Sequence, residues 1–211
     1  GAAPANAAIV HLHGGGYTMG SLASARLLAS LLSLYTATPV LSIDYRLAPE
    51  HPFPAAVDDA LAAYTWLLEQ GTVPDRIVFA GDSAGGGLAL ATIVSLRDRG
   101  LPLPAGAVLI SAWTDLTGSG DSVQTRASAD PCLTPDLLHC EAGRYAGETD
   151  LHHPLLSPLF ADLSGLPPLL IHVGTDDILL DDSRRLAEHA QGFGLDVTLR
   201  NWEGMWHVWH E

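Results

Sequence analysis

Gly81-Asp82-Ser83-Ala84-Gly85 places a serine between small residues, directly after the apolar run of residues 76–80 and ahead of a helical stretch through Leu88, Leu90 and Val94. A strand that feeds G-x-S-x-G and then a helix forces a tight turn and lifts the serine hydroxyl clear of the sheet, where it can act as a nucleophile. Without that context the five residues read as an ordinary Gly/Ser turn. A nucleophilic serine needs a base, an acid to orient the base, and donors for the developing oxyanion. His13-Gly14-Gly15-Gly16 follows the first apolar run of the chain. Three glycines let the backbone approach a bound molecule closely and aim N–H groups at it. Paired with G-x-S-x-G, this is the H-G-G-G pattern of an oxyanion hole, with the amides of Gly15, Gly16 and Ala84 as the candidate donors.

The elements that must hold these residues alternate between strand and helix along the chain. Residues 7–13, 39–44, 76–80, 106–111, 168–174 and 195–202 are short apolar runs that read as strands; residues 21–35, 55–70, 84–99 and 181–191 carry helical spacing, the last with Asp182 or Ser183 near its start. Continuous apolar strands separated by helices predict an α/β fold with a mostly parallel sheet covered on both faces, a three-layer sandwich. Between Trp113 and Pro158 the alternation stops. That stretch, about residues 114–157, reads as loop with a short helix over 135–145. An insertion of this length in an α/β domain is expected to be a lid or binding loop.

Composition narrows the function classes. The 211 residues fit one domain, and 47% hydrophobic with 16% charged residues describes a globular chain with a real core. The net charge is −14, and all ten basic residues are arginine. That balance excludes a basic nucleic-acid face and disfavours anionic membrane surfaces. Cys132 and Cys140 read as free thiols in a reducing compartment. Neither a membrane-spanning run nor a signal peptide is legible, so the expected location is cytoplasmic. His11-Leu12-His13 offers two imidazoles on one strand face, but no further His/Asp/Glu set has zinc spacing. The chain has no G-K-[ST] for a phosphate loop, and a dinucleotide fingerprint from Gly14 meets Met19 where glycine is required. No metal and no cofactor are implied.

Asp44-Tyr45-Arg46-Leu47-Ala48-Pro49-Glu50-His51-Pro52-Phe53-Pro54-Ala55-Ala56, Ser157-Pro158-Leu159-Phe160 and Gly165-Leu166-Pro167-Pro168 join the two glycine motifs in a pattern that covers nearly the whole chain. Together they resemble the hormone-sensitive-lipase-like branch of the α/β-hydrolases, the bacterial family IV esterases. The resemblance implies an α/β-hydrolase fold and a serine carboxylesterase acting on short- to medium-chain esters, with lactones, carbamates and aryl esters as related substrates. In α/β-hydrolases the acid and then the histidine follow the serine along the chain. Family members carry Asp-Pro-Leu-Arg-Asp-Glu after the strand that corresponds to residues 169–173. Aligning both ends of that pattern selects Asp177 over Asp176 as the triad acid, with Asp181 and Asp182 as first-turn residues favoured by a helix dipole. Gly204-Met205-Trp206-His207 resembles the catalytic-histidine loop, which makes His207 the base, while His210 is expected to be exposed. Asp82 reads as a supporting residue. Tyr17 and Trp113 are candidates for the substrate pocket or for the core.

The sequence opens a dozen residues before His13 and stops after the histidine loop, whereas family members continue in both directions. The resemblance therefore implies a domain truncated at both ends, with apolar sheet surface that favours homodimerisation or aggregation. Two other functions remain in view. One is a non-catalytic small-molecule receptor on the same fold, against which the retained His207 argues; the other is an inactive piece of an esterase.

Overall fold

The computed structural model of the chain describes residues 6–210. Six strands, β1 (Ala8–Leu12), β2 (Val40–Ile43), β3 (Ile77–Asp82), β4 (Gly106–Ile110), β5 (Leu169–Gly174) and β6 (Val197–Trp202), form one sheet that is parallel throughout, in the spatial order β2-β1-β3-β4-β5-β6. The register aligns Leu41, Val10, Phe79, Ala107, Leu169 and Val197 in one row across the sheet. This apolar row, of which Val10, Phe79, Ala107 and Leu169 are fully buried, is what specifies the pairing.

The helices are α1 (Arg26–Thr36), α2 (Ala55–Glu69), α3 (Ala84–Asp98), α4 (Ser122–Thr125), α5 (Pro135–Ala146) and α6 (Leu180–Gly192). The chain steps from β1 to β2 in one direction and then fills the sheet in the other. Right-handed crossovers consequently put α1 on one face and α2, α3 and α6 on the opposite face. Burial follows this division. Every residue from Ala84 to Leu96 of α3 is buried, the signature of a helix enclosed on all sides. Leu88, Leu90, Ile93 and Leu96 each contribute about 1.5–3 kcal/mol of burial, as an upper estimate. On the α1 face Val78, Val108 and Leu170 are only half-buried. Helix α1 buries Leu28 alone and leaves Leu34 and Tyr35 70% and 82% exposed.

The reversal between β1 and β3 fixes where the site lies. These neighbouring strands send their following helices to opposite faces, so the loops at their carboxyl ends part and leave a crevice. The first loop carries His13–Gly16 and the second carries Ser83.

The expected strands and helices are present with shifted ends. The first helix begins at Arg26 rather than at residue 21, because Ser21 and Ser24 exchange side-chain-to-backbone hydrogen bonds of 3.0–3.4 Å that hold a turn there. The last strand starts at Val197: Leu195 instead donates to the Ala190 carbonyl at 3.2 Å and closes α6. The segment 114–157 contains α4 and α5, the latter capped by the Thr134 hydroxyl, which accepts from the Leu137 amide at 3.2 Å, with Pro135 at its first position. His210 is not exposed as expected. It is half-buried, its ring tilted against Trp209 at 3.8 Å and against His172 at 5.9 Å between centroids, in an aromatic cluster that its spacing in the sequence does not reveal. Both cysteines are free and exposed. Among the described residues no helix is long and apolar enough to cross a membrane.

Candidate active site

Ser83 joins β3 to α3 at φ 51° and ψ −122°, a conformation that costs a non-glycine residue about 1–3 kcal/mol. Hydrogen bonds on both sides hold it there: its amide donates to the Ile110 carbonyl at 2.9 Å and its carbonyl accepts from the Trp113 amide at 2.9 Å. The turn requires bare backbone around the serine. A Cβ on Gly81 would collide with the Gly85 carbonyl, and one on Gly85 would collide with the carbonyls of Leu12 and His13. Helix α3 therefore sits backbone-to-backbone against the end of β1, and its amino terminus opens beside the serine.

The loop after β1 turns its carbonyls away from the crevice. The His13 carbonyl accepts from the Tyr45 hydroxyl at 2.7 Å, the Gly14 carbonyl from His13 Nδ1 at 2.7 Å, and the Gly15 carbonyl from the Thr18 and Met19 amides at 3.1 and 2.8 Å. In a trans peptide the N–H lies opposite the carbonyl, so the Gly15 and Gly16 amides point the other way. Gly15 and Gly16 line one cavity with Ser83 and His207. Their φ values of 114° and 61° explain the glycine requirement at both positions.

His207 comes from the loop after β6. Its Nε2 lies 2.9 Å from Ser83 Oγ and its Nδ1 lies 3.1 Å from Asp177 Oδ1. Burial works against the cationic ring, but the charge and hydrogen bond of Asp177 outweigh it, and Asp130 and Asp82 add to them; the pKa stands above the usual 6.5. Asp177 follows β5 and is fully buried. Burial raises its pKa, yet the His207 charge and hydrogen bond, the Ser111 hydroxyl and the Leu179 amide bring it below the usual carboxylate value. An ionised carboxylate can only accept, so Nδ1 carries the ring proton and Nε2 faces the serine as an acceptor. Asp176 plays a different part: its amide donates to the Met205 carbonyl at 3.0 Å, tying the acid loop to the histidine loop through backbone alone.

Asp82 lies outside this hydrogen-bonded line. It presses its carboxylate against Gly14, where a Cβ would strike it, and stands 3.8 Å from His11 Nε2. Burial, with the charge of His13, pushes His11 down to about 4. Asp181 and Asp182 do begin α6, but their carboxylates serve long-range anchors more than the helix dipole. Asp181 Oδ2 accepts from the Ser122 amide at 2.8 Å, and Asp182 Oδ2 accepts from the Thr114 and Asp115 amides, both at 2.8 Å.

The cavity above the serine measures about 360 Å³, within the range of small-ligand sites. Trp113 lines it; Tyr17 does not. Tyr17 belongs to the core, 1% exposed and stacked 3.7 Å from Tyr145. The rest of the wall is mostly apolar and drawn largely from segment 114–157, through Leu133, Leu137 and Leu138 with Glu141, and Trp206 and Met19 complete it. Sequence reasoning did not name these residues; the α5 leucines followed by Glu141 are the only signal that points to them. It also missed Asp130, whose carboxylate comes within 4.8 Å of Asp177 and of the His207 ring.

Residues 9–211 match a family model described as "alpha/beta hydrolase fold". Among curated proteins, the chain is 51% identical over 202 residues to an "Acetyl-hydrolase" of Streptomyces hygroscopicus, covering 96% of this chain and 68% of that one. It is 40% identical over 205 residues to an "Esterase" of Acinetobacter venetianus, covering 97% of this chain and 68% of that one. Among solved structures, EstE5 superposes with a TM-score of 0.96 at 54% identity, and an esterase of the bacterial hormone-sensitive lipase family with 0.96 at 47%; each comparison covers 98% of this chain and 70% of the other. The chain thus spans about two thirds of the length of these relatives.

Proposed function

The chain belongs to the α/β-hydrolase fold family, in its hormone-sensitive-lipase-like branch of carboxylic ester hydrolases, and from that premise we propose that it cleaves small esters through an acyl-enzyme on Ser83. The observation that carries this reading is the unbroken contact from Asp177 through His207 to Ser83, at 3.1 and 2.9 Å. His207 Nε2 takes the Ser83 proton as the hydroxyl attacks the ester carbonyl. The tetrahedral oxyanion is held by the amides of Gly15, Gly16 and Ala84, the last of them favoured by the α3 dipole. His207 then returns the proton to the departing alcohol, while Asp177 keeps the ring oriented and stabilises its cation. Water repeats the sequence on the acyl-enzyme and releases the acid.

The cavity holds on the order of a dozen water-sized groups, which supports acyl chains of short to medium length. Its apolar wall, contributed by segment 114–157, acts in this reading as the lid over the acyl group. The seated imidazole favours hydrolysis over simple ligand binding. Fluorophosphonate labelling at Ser83, with hydrolysis of p-nitrophenyl esters from acetate to decanoate, tests the proposal. Labelling and a preference for the shorter esters are expected, and a Ser83→Ala variant that kept most of its activity would overturn it.

A further inference from the structure

Asp130 lies in the wall segment, away from every motif that marks the site. The residue is 6% exposed, and its side chain accepts on both oxygens: Oδ1 from the Cys132 and Leu133 amides at 2.8 and 3.3 Å, Oδ2 from the Ile178 amide at 2.9 Å. Cys132 and Leu133 line the cavity, and Ile178 follows Asp177 directly. One carboxylate therefore fastens the substrate wall to the acid loop. It also lies, with Asp177, within 4.8 Å of the His207 ring.

Two carboxylates buried side by side repel each other, and a chain keeps such a pair at a net cost unless a positive charge stands close to both. Acyl transfer creates that charge on the imidazole. Charged or titratable groups that bear on the ring are Asp177 from the acid loop, Asp82 from the end of β3 and Asp130 from the wall; Glu141 of α5 lines the same cavity but is paired with Arg144 at 2.9 Å. We propose that Asp130 is a second carboxylate for His207, a positioning residue that fixes the acid loop against the pocket wall and adds its negative charge beside the imidazolium formed in turnover. This rests on the acyl-transfer reading of Ser83.

A carboxylate is also the side chain of this size that can accept on two oxygens, so anchoring and charge must be separated by measurement. The readout is the NMR titration of the His207 ring in the full chain, assigned by its loss in His207→Gln. In Asp130→Asn the midpoint falls by about 0.5–2 pH units, and the acid limb of kcat/KM moves with it; in Asp130→Glu, which keeps the charge, the midpoint stays close to that of the parent chain. An unmoved midpoint in Asp130→Asn overturns the proposal, even if the variant melts earlier. Should the asparagine variant fail to fold, Asp130→Ser retains an acceptor for the Cys132 and Leu133 amides and carries the same expectation. Absence of fluorophosphonate labelling on the parent chain would instead sink the esterase reading, and it leaves the ring titration fully readable.

Discussion

The Ser111 hydroxyl accepts the Val208 amide at 3.1 Å, and both residues hold φ at 48°. Ser111 is fully buried at the end of β4, and its own amide donates to the His172 carbonyl at 2.7 Å. A residue beside His207 is thus pinned to the sheet through a serine that no motif identifies. Ser111→Ala is expected to lose about 1–3 kcal/mol of stability and to lower kcat/KM about tenfold through loosened ring placement. Ser111→Gly relieves the positive φ, so it should show the same kinetic loss with a smaller fall in melting temperature. Thermal melts and p-nitrophenyl acetate kinetics check both.

The two neighbouring aspartates separate cleanly by substitution. Asp177→Asn removes the charge facing His207 Nδ1 and is expected to reduce kcat by about 10⁴-fold. Asp176→Asn leaves the amide-to-Met205 bond intact and should stay within a few-fold of the parent chain. Equal losses for the two would reverse the assignment of the acid.

Activity and stability should respond in opposite senses to pH near neutrality. The base must be unprotonated, and the His207 pKa is raised above 6.5, so kcat/KM should fall as pH drops through a value above 6.5. A raised histidine pKa contributes stability that is complete below its unfolded value and is lost as pH rises through the folded one. The pH range in which the enzyme gains rate is therefore one in which this contribution to the melting temperature disappears. A rate profile with its acid limb centred below 6.5 would contradict the electrostatic account.

Asp182 makes a second pH-dependent contribution. Burial, reinforced by Asp115, pushes its carboxyl up to about 8 despite the Thr114 and Asp115 amides. The sign is that of a raised group: stability is complete below the unfolded value of 3.8 and is lost as pH rises through about 8. Asp182→Asn keeps an acceptor for the two amides and does not ionise. Between pH 5 and 9 the parent chain should lose melting temperature that the variant retains, and parallel curves for the two would show that Asp182 is ionised throughout.

The sheet and the elbow were readable because the central strands β1, β3, β4 and β5 are short, nearly continuous apolar runs, and because a turn at Ser83 tolerates only glycine where backbone meets backbone. His207 was readable through chain order and its glycine-preceded loop. Tyr17 was not: adjacency to the glycine loop places it near the crevice in sequence, but its φ of 63° turns the ring into the stack with Tyr145. Asp130 left no signal, and the leucines of α5 only a faint one, for another reason. Segment 114–157 has no periodicity that says which of its residues face inward, and its fold is dictated by distant anchors such as Asp182 to Thr114 and Asp181 to Ser122. Contacts that span 59 and 68 residues leave no local trace.

Gly85 seats α3 directly on the carbonyls of Leu12 and His13, so no side chain can be introduced at this contact; it behaves as a fixed die. The facing wall is lined by Leu133, Leu137, Leu138 and Glu141. Adaptation to a different ester must be written there, and a mutant library confined to that wall would explore shape while the bond-breaking apparatus stays constant.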